Sequence, residues 1–298
     1  MPRVSICIPS YKPDHFELAL RSALAQTYQD VEIVISDDCP TDAIERIVEK
    51  YSAFVRYTRN PSPGVLSNLI RCVEVSEGEY IKFLFDDDLL SPFCVQYLLD
   101  ALESTRHQNT RMAFSPRDFI DGANRVTHHA NYFQVAGGLK TIAGPEFIRL
   151  TALGHHNYVG EFTTAMFRRA DCYDESGRFR FFATDDLLLP DLAAWLDLAE
   201  RGAFVAHPAT LSYFRQHDNS TSNPATNPNF IYCITYHETV LRRAVTGGYL
   251  PLDQVPESCR NLANMYRYWR NAFPQLDAAI AQLEEMAAIK VAPGARVA

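Results

Sequence analysis

No run of 18 or more apolar residues occurs in the chain, so no segment is expected to cross a bilayer as a helix. No CxxC pair occurs either. The seven cysteines (7, 39, 72, 94, 172, 233, 259) are odd in number and scattered, which excludes a zinc ribbon or disulfide frame and reads as reduced cytosolic thiols. Both phosphate-cradling glycine loops, GxGxxG and GxxxxGK[ST], are missing, and with them most of the case for a Rossmann dehydrogenase or a P-loop NTPase. Positive charge is short as well. Lys and Arg number 28 against 36 Asp and Glu, and the net charge of −8 excludes a chain whose main task is to wrap nucleic acid. The opening MPRVSICIPSYKP enters a strand-like run at once and lacks a signal peptide's apolar core, so a cytoplasmic protein is expected. The remaining composition, 47% hydrophobic and 21% charged over 298 residues, is that of an ordinary globular protein. That length suits two domains, or one large α/β domain with an appendage.

The first hundred residues alternate strand and helix. Val4–Ile8, Val31–Ser36, Phe54–Tyr57 and Tyr80–Phe85 read as strands. Phe16–Ala25 (with Asp14 placed to cap it), Asp42–Tyr51 and Val65–Ser76 read as helices between them. Strands apolar on both faces and separated by helices predict a mostly parallel sheet covered on both sides. Ligands of such sheets bind beyond the carboxyl ends of the strands, which sets Pro9–Tyr11, Asp37/Asp38 and Asp86–Asp88 along one rim. From 111 to 215 short strands (Met112–Ser115, Arg125–Val126, Thr164–Phe167, Ala203–Ala206, Leu211–Phe214) mix with helices near Pro145–Ala152 and Leu187–Arg201, an α+β half expected to complete the same sheet. Residues 218–229 read as a polar loop or flap, and helices are expected near 230–246, 256–272 and 274–289.

The sharpest local feature is Asp86-Asp87-Asp88 directly after an apolar strand. Three adjacent carboxylates repel one another unless water or a cation screens them. Mg2+ or Mn2+ takes oxygen ligands and leaves positions open for a substrate's phosphates, so a metal site for a diphosphate is one reading; a solvated turn capping the next helix is the other. Asp37 and Asp38 could accept hydrogen bonds from a ribose or a base N–H, or form an Asx-turn.

Taken together, Val4-Ser5-Ile6-Cys7-Ile8-Pro9-Ser10-Tyr11, Asp37-Asp38, Gly78-Glu79-Tyr80-Ile81, Asp86-Asp87-Asp88-Leu89-Leu90-Ser91-Pro92, Pro190-Asp191 through Ala199, and Leu211-Ser212-Tyr213-Phe214-Arg215-Gln216-His217 with Ser220 and Ser222 resemble the family 2 glycosyltransferases of GT-A fold over roughly residues 3–222. The resemblance implies an inverting, metal-dependent transferase that moves a sugar from a nucleotide-diphosphate sugar, most readily a UDP-sugar, to a hydroxyl of a glycan or lipid-linked acceptor. It implies a GT-A domain over 1–222, with a nucleotide-binding half (1–110) and an acceptor half (111–222), and a flap plus helical C-terminal extension over 223–298. Carried over by position, Pro9, Tyr11, Asp37, Asp38, Asp86 and Asp87 contact the nucleotide, while Asp88, four residues before Pro92, and His217 hold Mn2+ or Mg2+.

An acceptor hydroxyl needs a carboxylate to take its proton, on the face opposite the leaving diphosphate. Asp191, four residues ahead of Trp195 on the family's spacing, is the implied base, with Asp185 and Asp186 as rivals. Val159–Phe162 reads as acceptor-pocket lining or as surface loop, and the pairs His128/His129 and His155/His156 as polar loop residues. Arg260, Arg267 and Arg270 read as solvated arginines of a packing helix or as a peripheral contact with anionic lipid. A catalytically inactive nucleotide-sugar-binding module is the competing reading. A nucleotidyltransferase would need a basic glycine-rich loop that Ser10-Tyr11-Lys12-Pro13 does not supply.

Overall fold

The computed structural model describes residues 2–180, 189–216, 227 and 229–289. Its first part runs β1 (Val4–Ser10), α1 (Phe16–Leu24), β2 (Val31–Asp37), α2 (Ala43–Glu49), β3 (Arg56–Arg59), α3 (Val65–Val75) and β4 (Tyr80–Phe83), the alternation that the apolar runs predict. Next come β5 (Leu89–Leu90), α4 (Cys94–Ser104), β6 (Thr110–Phe114), β7 (Arg117–Ile120), β8 (Val126–Ala130), β9 (Lys140–Ile142) and α5 (Gly144–Gly154). After these follow β10 (Ala165–Arg168), α6 (Pro190–Ala199), β11 (Ala203–Ala206) and β12 (Ser212–Arg215). Three further helices close the described chain: α7 (Phe230–Thr246), α8 (Val255–Trp269) and α9 (Asp277–Ala288).

The main sheet has eight strands in the order β3-β2-β1-β4-β10-β6-β11-β9. Strands β3, β2, β1 and β4 are parallel, β10 runs against both of its neighbours, and β11 is again parallel to β6. Every residue of β1 is buried, with Cys7 facing one core and Val4, Ile6 and Ile8 the other. A strand with helices on both faces must be apolar on both, which is why these runs do not alternate. The chain leaves β1 toward β2 on one side, whereas β4 lies on the other. That reversal opens a crevice at the carboxyl ends of β1 and β4, where the two candidate loops emerge. Gly78 lets the chain enter β4 closely: an added Cβ would lie 2.6 Å from the Ser5 nitrogen.

Two local expectations change. Asp14 does not cap α1; His15 flanks the helix, and no side chain caps it. The strands near 125 and 212 do not extend the main sheet. They form a second, four-stranded sheet in the order β5-β12-β7-β8. The physical reason is exposure: four of the five residues of β8 face solvent, so it cannot enter a sheet covered on both sides.

One hydrophobic cluster runs from Phe147 and Ile148 of α5 through Leu192 and Trp195 of α6 to Val240, Leu262, Tyr266 and Leu283 of α7–α9. The C-terminal helices thus pack on the same core as the sheet. Arg267 pairs with Glu284, Arg270 with Asp277 at 3.2 Å, and Arg260 donates to the Ala287 carbonyl at 3.3 Å, so all three spend hydrogen bonds within the helix pair. Among the described residues no helix is long and apolar enough to cross a membrane, and the seven cysteines are all unbridged.

Candidate active site

Strand β4 delivers the three aspartates to the crevice, and the fold gives each a different task. Asp86, half-buried, accepts the main-chain N–H groups of Tyr11 at 2.6 Å and Lys12 at 2.7 Å on one oxygen, tying the loop after β1 to the loop after β4. Burial pushes its carboxyl up to about 6. Asp88 is fully buried. Its oxygens accept the Thr163 hydroxyl at 2.6 Å and the Arg215 N–H at 3.0 Å. Burial, then the neighbouring Asp87 charge, holds the Asp88 carboxyl well above the usual carboxylate range. Asp87 lies between them, half-buried, and its carbonyl accepts Arg215 Nε at 2.7 Å.

Behind this loop stands Lys82, a fully buried lysine in an otherwise apolar strand. Its ammonium donates to the carbonyls of Phe83 and Thr163, and burial pulls its pKa down. Thr163 is the hub: its hydroxyl also accepts the Phe85 N–H at 3.2 Å. Arg215, buried throughout, donates to the Asp121 carbonyl at 2.8 Å and keeps Nη2 without a partner.

The rim at the ends of β1 and β2 divides in the same way. Pro9 is buried at the end of β1, and the Tyr11 ring is 56% exposed beside the crevice. Asp37, expected at the nucleotide, is fully buried and accepts Tyr57 Oη and Arg59 Nη1, each at 2.8 Å, and the Cys39 N–H at 2.7 Å. Those three donors tie β2 to β3 through Asp37. Asp38 is half-buried and turned differently. One oxygen accepts the Gly64 N–H at 2.8 Å, and the other is shielded from solvent with no partner. An orphaned buried carboxylate oxygen is costly unless a donor such as a base N–H or ribose hydroxyl arrives.

Asp191 sits in the first turn of α6, opened by Pro190, where a missing N–H costs nothing. One oxygen accepts the Leu192 N–H at 2.7 Å, and the other the Asn157 amide at 3.1 Å. Burial, then the Glu161 charge, pushes its carboxyl up to about 7, while Arg117 opposes the shift. Glu161 pairs with Arg117 at 2.8 Å and also raises Asp88, so its charge is felt at both buried aspartates. Gly160, at φ +97°, closes the turn from Asn157; an added Cβ there would strike the Arg117 guanidinium. Residues Val159–Phe162 therefore belong to the neighbourhood of Asp191, with Val159 and Phe162 buried.

Other expectations move. His155 lies in the turn after α5 but is buried there, its Nε2 3.0 Å from the Ser258 carbonyl; His156 is half-buried against Tyr132 and Tyr158. His128 stacks on Phe119, and His129 lies 2.7 Å from Asp118, on the exposed side of β8. His217, Asp185, Asp186, Ser220, Ser222 and nearly all of the 218–229 loop lie outside the described residues. Thr163, Asn157 and Arg117 carried no signal in the sequence. Lys82 did: a lysine inside YIKFLF has to be buried with its strand.

Among the described residues no three His, Cys, Asp or Glu side chains converge into a closed metal cage. The donors at the rim are carboxylate oxygens, the set that suits Mg2+ or Mn2+ bound by few protein ligands together with phosphates.

Comparison with known proteins agrees with this architecture. The family model of glycosyl transferase family 2 matches residues 5–174. An uncharacterized protein, MT1568, of Mycobacterium tuberculosis is 32% identical over 229 residues, covering 74% of this chain and 69% of that protein. Chondroitin synthase of Escherichia coli is 36% identical over 104 residues, which is 34% of this chain and only 15% of the synthase. The solved structure of S. aureus TarS 1–349 in complex with UDP-GlcNAc superposes with a TM-score of 0.57 at 15% identity, covering 96% of this chain and 88% of that one. A sheet of this order, with its aspartate loop at the switch point and a family match over more than half its length, leaves one assignment: the chain belongs to glycosyl transferase family 2 and is a glycosyltransferase.

Proposed function

We propose that the chain transfers a sugar, with inversion, from a nucleotide-diphosphate sugar of the UDP class to a hydroxyl of a glycan or lipid-linked acceptor. The observation that carries this reading is the contrast around the crevice: a carboxylate loop at the end of β4 on one side, and on the other a half-buried Asp191 whose pKa of about 7 suits a general base. The binding of UDP-GlcNAc by a protein of similar fold is in keeping with a UDP-sugar donor.

Asp38, with its orphaned oxygen, takes a donor group of the base or ribose, and the exposed Tyr11 ring covers the base. Asp86 fixes the main chain of that loop. Mg2+ or Mn2+, when bound, offsets the charge that grows on the departing diphosphate. We assign Asp87 to hold it, with His217 from the segment after β12. Asp88, the ligand on family spacing, braces the loop in this reading, because it is fully buried behind the Thr163 hydroxyl and the Arg215 N–H. Asp191 takes the proton of the acceptor hydroxyl as the new bond to the anomeric carbon forms. Residues 1–222 act as the catalytic domain and 223–298 as flap and helical extension, of which α7–α9 pack on the same core as the sheet.

A panel of UDP-sugars tests this reading. Slow Mn2+-dependent release of UDP should be seen with at least one of them, and lost with EDTA; release that is indifferent to EDTA would remove the cation from the account.

A further inference from the structure

The turn from Asn157 to Gly160 is built around one side chain. Asn157 Oδ1 accepts the Gly160 N–H at 3.0 Å, and its amide nitrogen donates to the Gly160 carbonyl at 3.2 Å and to Asp191 Oδ2 at 3.1 Å. The same Gly160 carbonyl accepts the indole N–H of Trp195, at 3.0 Å, one helical turn after Asp191. The Trp195 ring is fully buried, packed edge-on to Phe162 and Phe167. The first turn of α6 is thus bolted to the loop at two points, and only one of them touches a carboxylate.

We propose that Asn157 is a positioning residue for the transfer reaction: its amide fixes one oxygen of Asp191, so that the carboxylate meets the acceptor hydroxyl in one orientation. The inference rests on the reading of Asp191 as the base. Each Asp191 oxygen then has one lone pair engaged, by Asn157 or by the Leu192 N–H, and a second left to receive a proton. An amide hydrogen bond to a carboxylate favours its ionised form; Arg117 from β7 acts in the same direction, whereas the charge of Glu161 opposes it. From α7 the thiol of Cys233 faces the same carboxylate and is itself pushed up to about 11 by burial and by that charge.

Two variants separate positioning from scaffolding. Asn157→Asp keeps an acceptor for the Gly160 N–H but sets a carboxylate where the amide donor was. Asn157→Ser removes the donor, because the shorter side chain no longer reaches Asp191. The readout is the 13Cγ resonance of Asp191 across pH 4–9 in the full chain with Mg2+, identified as the signal missing from Asp191→Asn. Its midpoint should lie near 7 in the native chain, rise by about one pH unit in Asn157→Ser and further in Asn157→Asp. The acid limb of Mn2+-dependent UDP-sugar hydrolysis should move with it, while UDP affinity stays within about threefold. Midpoints unmoved in both folded variants, with Asp191→Asn inactive, would overturn the role of Asn157 alone. An Asp191→Asn variant of native turnover would overturn the base assignment and this inference together.

Discussion

Asp88 and Asp191 are both taken out of water, and both carboxyls are lifted by burial, yet their surroundings differ. Asp88 is closed in by the Thr163 hydroxyl and the Arg215 main chain, with Lys82 behind. Asp191 is only half-buried, held by two donors at its edge and within reach of the charges of Glu161 and of Arg117 from β7. Desolvation alone therefore does not mark a catalytic base. Each carboxylate has one donor on each oxygen, so what separates the two is access: Asp88 is fully enclosed and Asp191 is not. At the end of β2 the same division sets Asp37, fully enclosed, apart from Asp38, which keeps an unmatched oxygen.

This contrast can be broken at several points. The largest effect is expected at Asp87: Asp87→Ala, like EDTA, should lower turnover at least about a hundredfold and weaken UDP binding in Mn2+, since the charge on the diphosphate loses its partner. Calorimetry with UDP in Mn2+, beside steady-state rates, decides it; unchanged affinity would return the cation to another group. Thr163→Val should come next. It leaves the buried Asp88 short of one donor and frees the Phe85 N–H, costing about 1–3 kcal/mol of stability, read as a lower urea midpoint at pH 8. The smallest effect belongs to Asp38→Ala. A base contact made equally in ground and transition states should raise the donor KM several-fold with kcat nearly unchanged; a collapse of kcat alone would move Asp38 into the chemistry.

Much of the first half of the sheet was legible in the sequence because parallel strands buried on both faces leave continuous apolar runs, and β1, β2 and β4 all begin within a residue of the expected positions. The second, four-stranded sheet was not. Arg117–Ile120 carries two charged residues in four, and β8 is mostly polar and exposed, so neither shows strand periodicity. The aspartate triplet was visible, but its division of labour was not. Thr163 and Arg215 lie 75 and 127 residues from Asp88, and only the folded sheet brings them together. Asp37 and Asp38 are adjacent in sequence yet differ in surroundings, because successive side chains at a strand's end point to different sides.

The pH dependence of kcat, measured at saturating donor and Mn2+ for the native chain and for Asp191→Asn, tests the central claim most directly. A base with its carboxyl near 7 must be ionised to work, so native kcat should climb with pH through about 7 and level off above it. Burial that raises the folded pKa favours the protonated form, so this group contributes stability at low pH and loses it as pH rises through 7; Asp191→Asn should be the more stable protein at pH 8. The variant should bind UDP with Mn2+ as the native chain does, turn over about 10² to 10⁴ times more slowly, and show no limb near 7. An Asp191→Asn variant that keeps both the limb and turnover within a few-fold of native would contradict the account.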